Sequence, residues 1–231
     1  MKDLNFPYNV VDLTHMLTLD VPSWNGGCGF HQQIKLDYDD CKTDVKFRVQ
    51  QLKLHAGIGT HIDAPAHCIP GSKSVDQLDL DQLLAPCIVI DVSKVADEEY
   101  TVTPQDILSF EQRYGPIPPN SFIIIHTGWE RFWHQPEQYR NNHIFPCVGG
   151  DTAEMLLERS IVGLGIDTLS PDRPSNGFPV HHLLLGAGKY IIENVAHALD
   201  MPLLGAYTLA LPIKTQGGTE APIRLVGLIP S

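Results

Sequence analysis

His61, Asp63 and His67 are the residues of this chain whose types and spacing best suit them to chemistry together. They lie in Gly59-Thr60-His61-Ile62-Asp63-Ala64-Pro65-Ala66-His67, where groups able to bind a metal or carry a proton fall on alternate positions and Pro65 takes the remaining one. Alternate residues of an extended backbone point to one side. His61 and Asp63 should therefore project together, with His67 close behind. Proline donates no backbone hydrogen bond, so regular pairing should end near Pro65. The stretch predicts a metal site at the end of a strand, with His67 on the adjoining loop. His-x-Asp alone is a weak signal; six fixed letters over nine positions are far more specific.

The elements that must position these groups can be read around them. Val10 to His15 reads as a first strand, and Phe47 to His55 as a strand that feeds directly into the motif. Cys87 to Val92, Ser121 to Thr127 and Val162 to Asp167 are short apolar runs of the kind buried strands show. Thr103-Pro104-Gln105-Asp106 predicts a helix start, with Thr103 as cap and Pro104 in the first turn, the helix running to Tyr114. Asp151 to Arg159 reads as a helix, His181 to Gly186 as a short helical turn and Tyr190 to Val195 as a strand. Ala206 to Ile213 and Ile223 to Leu228 read as two strands joined by a Gly217-Gly218 loop. No repeat, linker or low-complexity segment interrupts the 231 residues, so one α/β domain is the simplest organisation.

Composition narrows the classes. Hydrophobic residues at 43% and charged residues at 19% describe a folded globular chain. The net charge is −11 with no basic run, which argues against nucleic acid. No apolar stretch of about 18 residues predicts a membrane span. Met1 to Asn5 holds no apolar signal core. The five cysteines are odd in number and irregularly spaced, so they read as reduced thiols of a cytoplasmic protein. Histidine, at 11 residues, is the unusual feature. Trp24 sits in a Gly-rich loop and on its own reads as a core plug, since large aromatics are mostly buried.

With its flanks, the motif resembles the cyclase family of metal-dependent hydrolases, which includes bacterial kynurenine formamidases and isatin hydrolases and whose hallmark is His-x-Gly-Thr-His-x-Asp-x-Pro-x-His. The resemblance extends to Asp12-Leu13-Thr14-His15 with Val21-Pro22-Ser23-Trp24, to Asp167-Thr168-Leu169-Ser170-Pro171-Asp172, and to His181-His182-Leu183 followed by Tyr190-Ile191-Ile192-Glu193-Asn194. It implies a swivelling β/β/α fold, with a mixed sheet flanked by helices. It implies a divalent metal, zinc or manganese, as one or two ions held by His61, Asp63, His181 and Glu193. His67 would move the proton and Trp24 would line the substrate pocket. The implied reaction is hydrolysis of a carbon–nitrogen amide bond, with an arylformamide such as N-formylkynurenine first and a lactam of the isatin type or a lactone second. A small-molecule substrate and a homodimer or homotetramer complete the expectation.

One position departs from the hallmark. Its first histidine falls on Gly57, which has no side chain to offer. Either His55 swings in across a bulge at Gly57, or the site has one histidine fewer. A branch that binds a metal or small molecule without catalysis is the alternative class. The other histidines carry less signal. His182 would be structural or stand behind the ligands, and His126 and His197 read as structural. His15, His31, His134 and His143 read as solvent-facing or locally hydrogen-bonded. Cys68 adjoins His67, but neighbours in an extended chain point apart, which argues against a Cys/His nucleophile.

Overall fold

The run Phe122 to His126 has no polar alternation because both of its faces are covered. Phe122 and Ile124 enter one core with Tyr190, Ile192 and Leu225. Ile123 and Ile125 enter another with Ile107, Phe110, Leu156 and Leu184. A strand buried on two sides needs apolar residues at every position.

The computed structural model describes residues 6–231; Met1 to Asn5, read above as lacking a signal core, lie outside them. The strands are β1 (Tyr8–Asp12), β2 (Phe30–Leu36), β3 (Val49–Leu54), β4 (His61–Asp63), β5 (Leu84–Asp91), β6 (Thr101–Val102), β7 (Phe122–His126), β8 (Cys147–Val148), β9 (Gly163–Ile166), β10 (Tyr190–Glu193), β11 (Ala206–Pro212) and β12 (Glu220–Pro230). The helices are α1 (Leu80–Leu83), α2 (Pro104–Tyr114), α3 (Pro136–Arg140), α4 (Gly150–Glu158) and α5 (Pro179–Gly186).

The main sheet runs β1-β12-β11-β5-β7-β9-β10-β4, and β12 also pairs with β4, which closes it into a barrel-like ring with β1 alongside. Neighbours among β5, β7, β9 and β10 are parallel, and β4, β11 and β12 are antiparallel to theirs. This is the mixed sheet flanked by helices expected from the sequence. Parallel neighbours need crossovers, and α2, α4 and α5 lie in those connections, with Ile107, Leu156 and Leu184 buried against the sheet. The start of α2 is the capping box read from Thr103 and Asp106: the Thr103 backbone N–H donates to the Asp106 carboxylate at 2.7 Å. Such a cap is worth about 1 kcal/mol.

Two expectations shift. The strand expected over Phe47 to His55 is β3, and it does not lead straight into β4; residues 55–60 intervene as a loop. Its partner is β2, forming a hairpin apart from the main sheet. The polar Gln32 and Gln33 hide β2 from a search for buried alternation, because nearly every residue of the hairpin is exposed. All five cysteines are free. No helix among the described residues is long and apolar enough to cross a membrane.

Candidate metal centre

The centre is built by cross-strand register. β4 runs between β10 and β12; Glu193 stands opposite His61 on one neighbour, and Glu220 opposite Asp63 on the other. Directly opposed residues share a face, and His61 and Asp63 share theirs through the period-2 geometry of β4. Two strand pairings thus put one imidazole and three carboxylates on one surface. α5 adds His181, whose Nε2 lies 3.7 Å from Asp63 Oδ2 and 3.5 Å from Glu193 Oε1. His61 Nε2 lies 3.5 Å from Asp63 Oδ1 and 3.3 Å from Glu193 Oε2.

Both imidazoles are oriented from behind. His61 Nδ1 lies 2.9 Å from the Gly59 carbonyl, which can only accept, so Nδ1 carries the hydrogen and Nε2 is turned to the carboxylates. His181 Nδ1 is 2.8 Å from Asp172 Oδ2. Asp172 also accepts from the backbone N–H groups of Val180 and His181 at the start of α5. One buried carboxylate therefore caps the helix and holds the ring that the helix presents. A ligating imidazole is commonly fixed through its second nitrogen in this way.

Asp63 is the residue that calls for a cation. It is 1% exposed, and neither carboxylate oxygen has a hydrogen-bond partner in the protein. A buried unpaired carboxylate costs several kcal/mol, which the neighbouring imidazoles can offset only by holding protons. The charges do drive protons there. Burial pushes His61 down, but Asp63 and Glu193 outweigh it and raise it to about 9. His181 is likewise disfavoured by burial yet raised well above its usual value by Asp172, Asp63 and Glu193. Burial pushes Glu193 up, and the two imidazoles reverse that, bringing it down to about 2. Glu220 is raised, first by burial and then by Asp63. Imidazole nitrogens and carboxylate oxygens facing one another without good hydrogen bonds fit a divalent ion. Donor atoms from His61, Asp63 and Glu220 lie within 4.8 Å of one another, as do those from Asp63, His67 and His181.

The structure thus brings together His61, Asp63, His67, His181 and Glu193, all expected from the sequence. Glu220 was missed. It carries no motif signal before its strand register is known, and its closeness to Asp63 follows only from the β12–β4 pairing. Asp172 sits in a stretch quoted above but had no role assigned. His55 is exposed and its backbone N–H bonds to the Gly29 carbonyl; it does not line the cavity at the centre. The place beside Gly57 is taken by the Glu220 carboxylate, which a Cβ at position 57 would clash with. His182 is exposed.

A cavity of about 500 Å³ opens over the centre, walled by Trp24, Leu169 and Phe178, with His67, Cys68 and Asn194 also on its surface. Trp24 is a wall of this cavity, not the core plug its composition alone suggested. Its ring lies 4.1 Å from that of His143 and 6.1 Å from that of Phe178. His143 Nε2 donates to the Trp24 carbonyl at 2.8 Å, so this histidine fastens the Trp24 loop. Asn194, in the left-handed region at φ 57°, ties the strand ends together: its Nδ2 donates to the Gly59 carbonyl, and its Oδ1 accepts from Tyr139.

The chain is similar to known proteins along most of its length. The Cyclase family profile matches residues 11–173. An isatin hydrolase of Roseibium aggregatum is 33% identical over 187 residues, covering 74% of this chain and 71% of its own. A kynurenine formamidase of Bacillus mycoides is 28% identical over 222 residues, covering 94% of this chain and 95% of its own. Among solved structures, isatin hydrolase A from Ralstonia solanacearum superposes with a TM-score of 0.87 at 28% identity, covering 96% of this chain and 92% of its own.

Proposed function

This chain belongs to the Cyclase family, and from that premise we propose that it is a metal-dependent hydrolase of a small amide whose nitrogen is carried on an aromatic ring. The observation that carries the reading is Asp63, buried without a protein partner between the Nε2 atoms of two oriented imidazoles. His61, Asp63, His181 and Glu193 would hold the metal, with Glu220 as a further donor. Zinc and manganese both suit this donor set, as one ion or two. The ion supplies the acidity that activates water and polarises a carbonyl.

The protein's own groups do the rest. Trp24 and Phe178 offer a flat apolar wall on which an aromatic ring can stack. His67, its ring 32% exposed on the cavity with Nδ1 3.7 Å from Glu220 Oε1, is placed to take a proton from the attacking water. It can then return that proton to the departing nitrogen as the carbon–nitrogen bond breaks, so that the products are a carboxylic acid and an amine.

An N-formyl arylamine such as N-formylkynurenine is the leading substrate, supported by the match to kynurenine formamidase across 94% of the chain. A lactam fused to an aromatic ring is the second, favoured by the higher identity to isatin hydrolase; a lactone is attacked in the same way. We read the chain as one hydrolase domain working as a homodimer or homotetramer in the cytoplasm. The exposed Ile34, Val49 and Leu52 on the projecting hairpin support self-association.

The deciding experiment combines metal analysis of the purified protein with absorbance assays on N-formylkynurenine and isatin. Turnover of one of them, lost in the His61→Ala/Asp63→Ala variant together with the metal of this centre, is expected. Metal-replete protein that hydrolyses no aryl amide, lactam or lactone would leave the non-catalytic binding protein as the correct reading.

A further inference from the structure

The segment between Tyr139 and Phe145 holds three consecutive non-glycine residues in the left-handed region: Asn141 at φ 40°, Asn142 at 52° and His143 at 64°. Side chains with a Cβ adopt this backbone only under constraint, and residues held there gather at ligand clamps and other functional places. Both ends of the segment are pinned. Tyr139 and Phe145 are fully buried. The Tyr139 hydroxyl lies 2.9 Å from the Asp167 carbonyl and from Asn194 Oδ1. The Phe145 carbonyl accepts from Arg173 Nε at 2.8 Å. Inside the turn, the Asn141 carbonyl accepts from the Ile144 N–H, and Asn141 Nδ2 donates to the Ile144 carbonyl. None of these bonds uses the His143 ring.

That ring is what the strained turn presents. It lies 4.1 Å from the Trp24 ring at an angle of 31°, and its Nε2 donates to the Trp24 carbonyl at 2.8 Å. Trp24 lines the cavity over the metal centre and His143 does not. The imidazole thus stands behind the wall and holds both its ring and its backbone.

Little else fixes the Trp24 loop. Among the described residues, the other hydrogen bonds of residues 21–27 stay within residues 18–27: Val21 to Thr18, Gly26 to Ser23, and the Ser23 hydroxyl to Gly27. The further contact from outside comes from the same segment, where the Arg140 guanidinium packs against Gly26 in space that a Cβ would need. Asn194, to which Tyr139 is bonded, directly follows Glu193 at the end of β10. The turn that holds the wall is therefore rooted beside a residue of the metal centre, which sets the wall's distance from it.

We infer, on the hydrolase reading above, that His143 is a positioning residue: by holding Trp24 it sets the preference of this pocket for amides whose nitrogen is carried on an aromatic ring. An indole released from behind loses the fixed orientation that stacking needs, and the cost of ordering it then falls on substrate binding. The loss belongs in KM.

His143→Gly is the test, because glycine takes a left-handed φ without strain. KM for an N-formyl arylamine should rise about fivefold, the worth of one hydrogen bond, while kcat and the KM for an N-formyl alkylamine are kept. In a Trp24→Ala background the same substitution should have no further effect, since the group it acts through is gone. Acrylamide quenching of tryptophan fluorescence needs no turnover. Trp129 and Trp133 are 3% and 4% exposed, so the accessible indole is Trp24, and His143→Gly should make it more easily quenched. Unchanged quenching in His143→Gly, folded by circular dichroism, overturns the proposal. So does an equal rise in KM for aryl and alkyl substrates, or a further loss in the Trp24→Ala background. Wild-type protein that hydrolyses no amide would instead sink the hydrolase reading and with it the substrate preference, and the quenching would still decide whether His143 holds Trp24.

Discussion

Glu220 fills the space that any side chain at position 57 would need. A Cβ built on Gly57 runs into the Glu220 carboxylate and comes within 3.3 Å of His61 Nε2. The glycine and the glutamate are thus one arrangement, and the donor that Gly57 cannot supply is offered from β12. Glu220→Ala should lower metal affinity by about 10- to 100-fold, the range seen when groups supporting a metal site are removed. Gly57→His alone should also weaken binding, by displacing Glu220. The double variant Gly57→His/Glu220→Ala should bind more tightly than either single one, measured by competition with a chromophoric chelator. If the two effects merely add, the exchange is not reciprocal.

Asp172 offers a second test because it does two jobs. It holds His181 Nδ1 and accepts the first backbone N–H groups of α5. Asp172→Asn keeps the shape but weakens both, since an amide oxygen is a poorer acceptor than a carboxylate. Metal affinity should fall about tenfold or more, and unfolding free energy by about 1–3 kcal/mol. A thermal melt and a metal titration on the same sample separate the two. Unchanged metal affinity would mean that Asp172 serves the helix alone.

The pH dependence of the metal-free protein follows from the protons that replace the ion. His61 is raised from 6.5 to about 9, its contribution to stability being complete below 6.5 and lost as the pH climbs through about 9. Glu193 is lowered from 4.5 to about 2, a contribution complete above 4.5 and lost as the pH falls through about 2. The metal-free melting temperature should therefore be highest between about 4.5 and 6.5 and decline from there to pH 9. Metal should remove most of the alkaline decline, because the ion takes over the role of the protons. Metal uptake near pH 7 should also release protons, measurable with an indicator dye in weak buffer. An equally steep alkaline decline in the metal-loaded protein would contradict the assignment.

What could be read from the sequence, and what could not, divides along chain separation. His61, Asp63 and His67 are close neighbours in one motif, and the local geometry of an extended strand is enough to put the first two on one side. The buried strands and the α2 cap are legible for the same reason: continuous apolar runs and a Thr-Pro-x-Asp start are local. Glu220 is not, because its role exists only once β12 pairs with β4, across more than 150 residues. Gly57 was legible as an anomaly, but its explanation lies on another strand. The β2–β3 hairpin was half hidden because neither strand has a buried face. Trp24 shows the limit of composition: its size suggested a plug, whereas the loop fastened by His143 makes it a wall.

The aromatic wall gives the last prediction. Trp24 and Phe178 face the same cavity as His67, and their ring centroids lie 6.1 Å apart. Neither side chain carries a group that ligates a metal or exchanges a proton near neutral pH, so both should act through binding an aromatic ring, with Phe178 also standing edge-on to His181 at 6.0 Å. Aromatic contacts of this kind contribute about 0.5–1.5 kcal/mol beyond the apolar area they cover. Trp24→Ala should therefore raise KM for an N-formyl arylamine by about tenfold, while KM for an N-formyl alkylamine changes little. His67→Ala should do the opposite, lowering kcat by about 10²- to 10⁴-fold, as for loss of a general acid–base group, with metal content kept. Phe178 is less free to change, because it holds a left-handed φ of 59° at the start of α5. Phe178→Asn suits that backbone and removes the ring, so a rise in KM with metal content unchanged reports the ring's part in binding. If Trp24→Ala weakens aryl and alkyl substrates alike, the wall shapes the pocket without selecting for an aromatic ring.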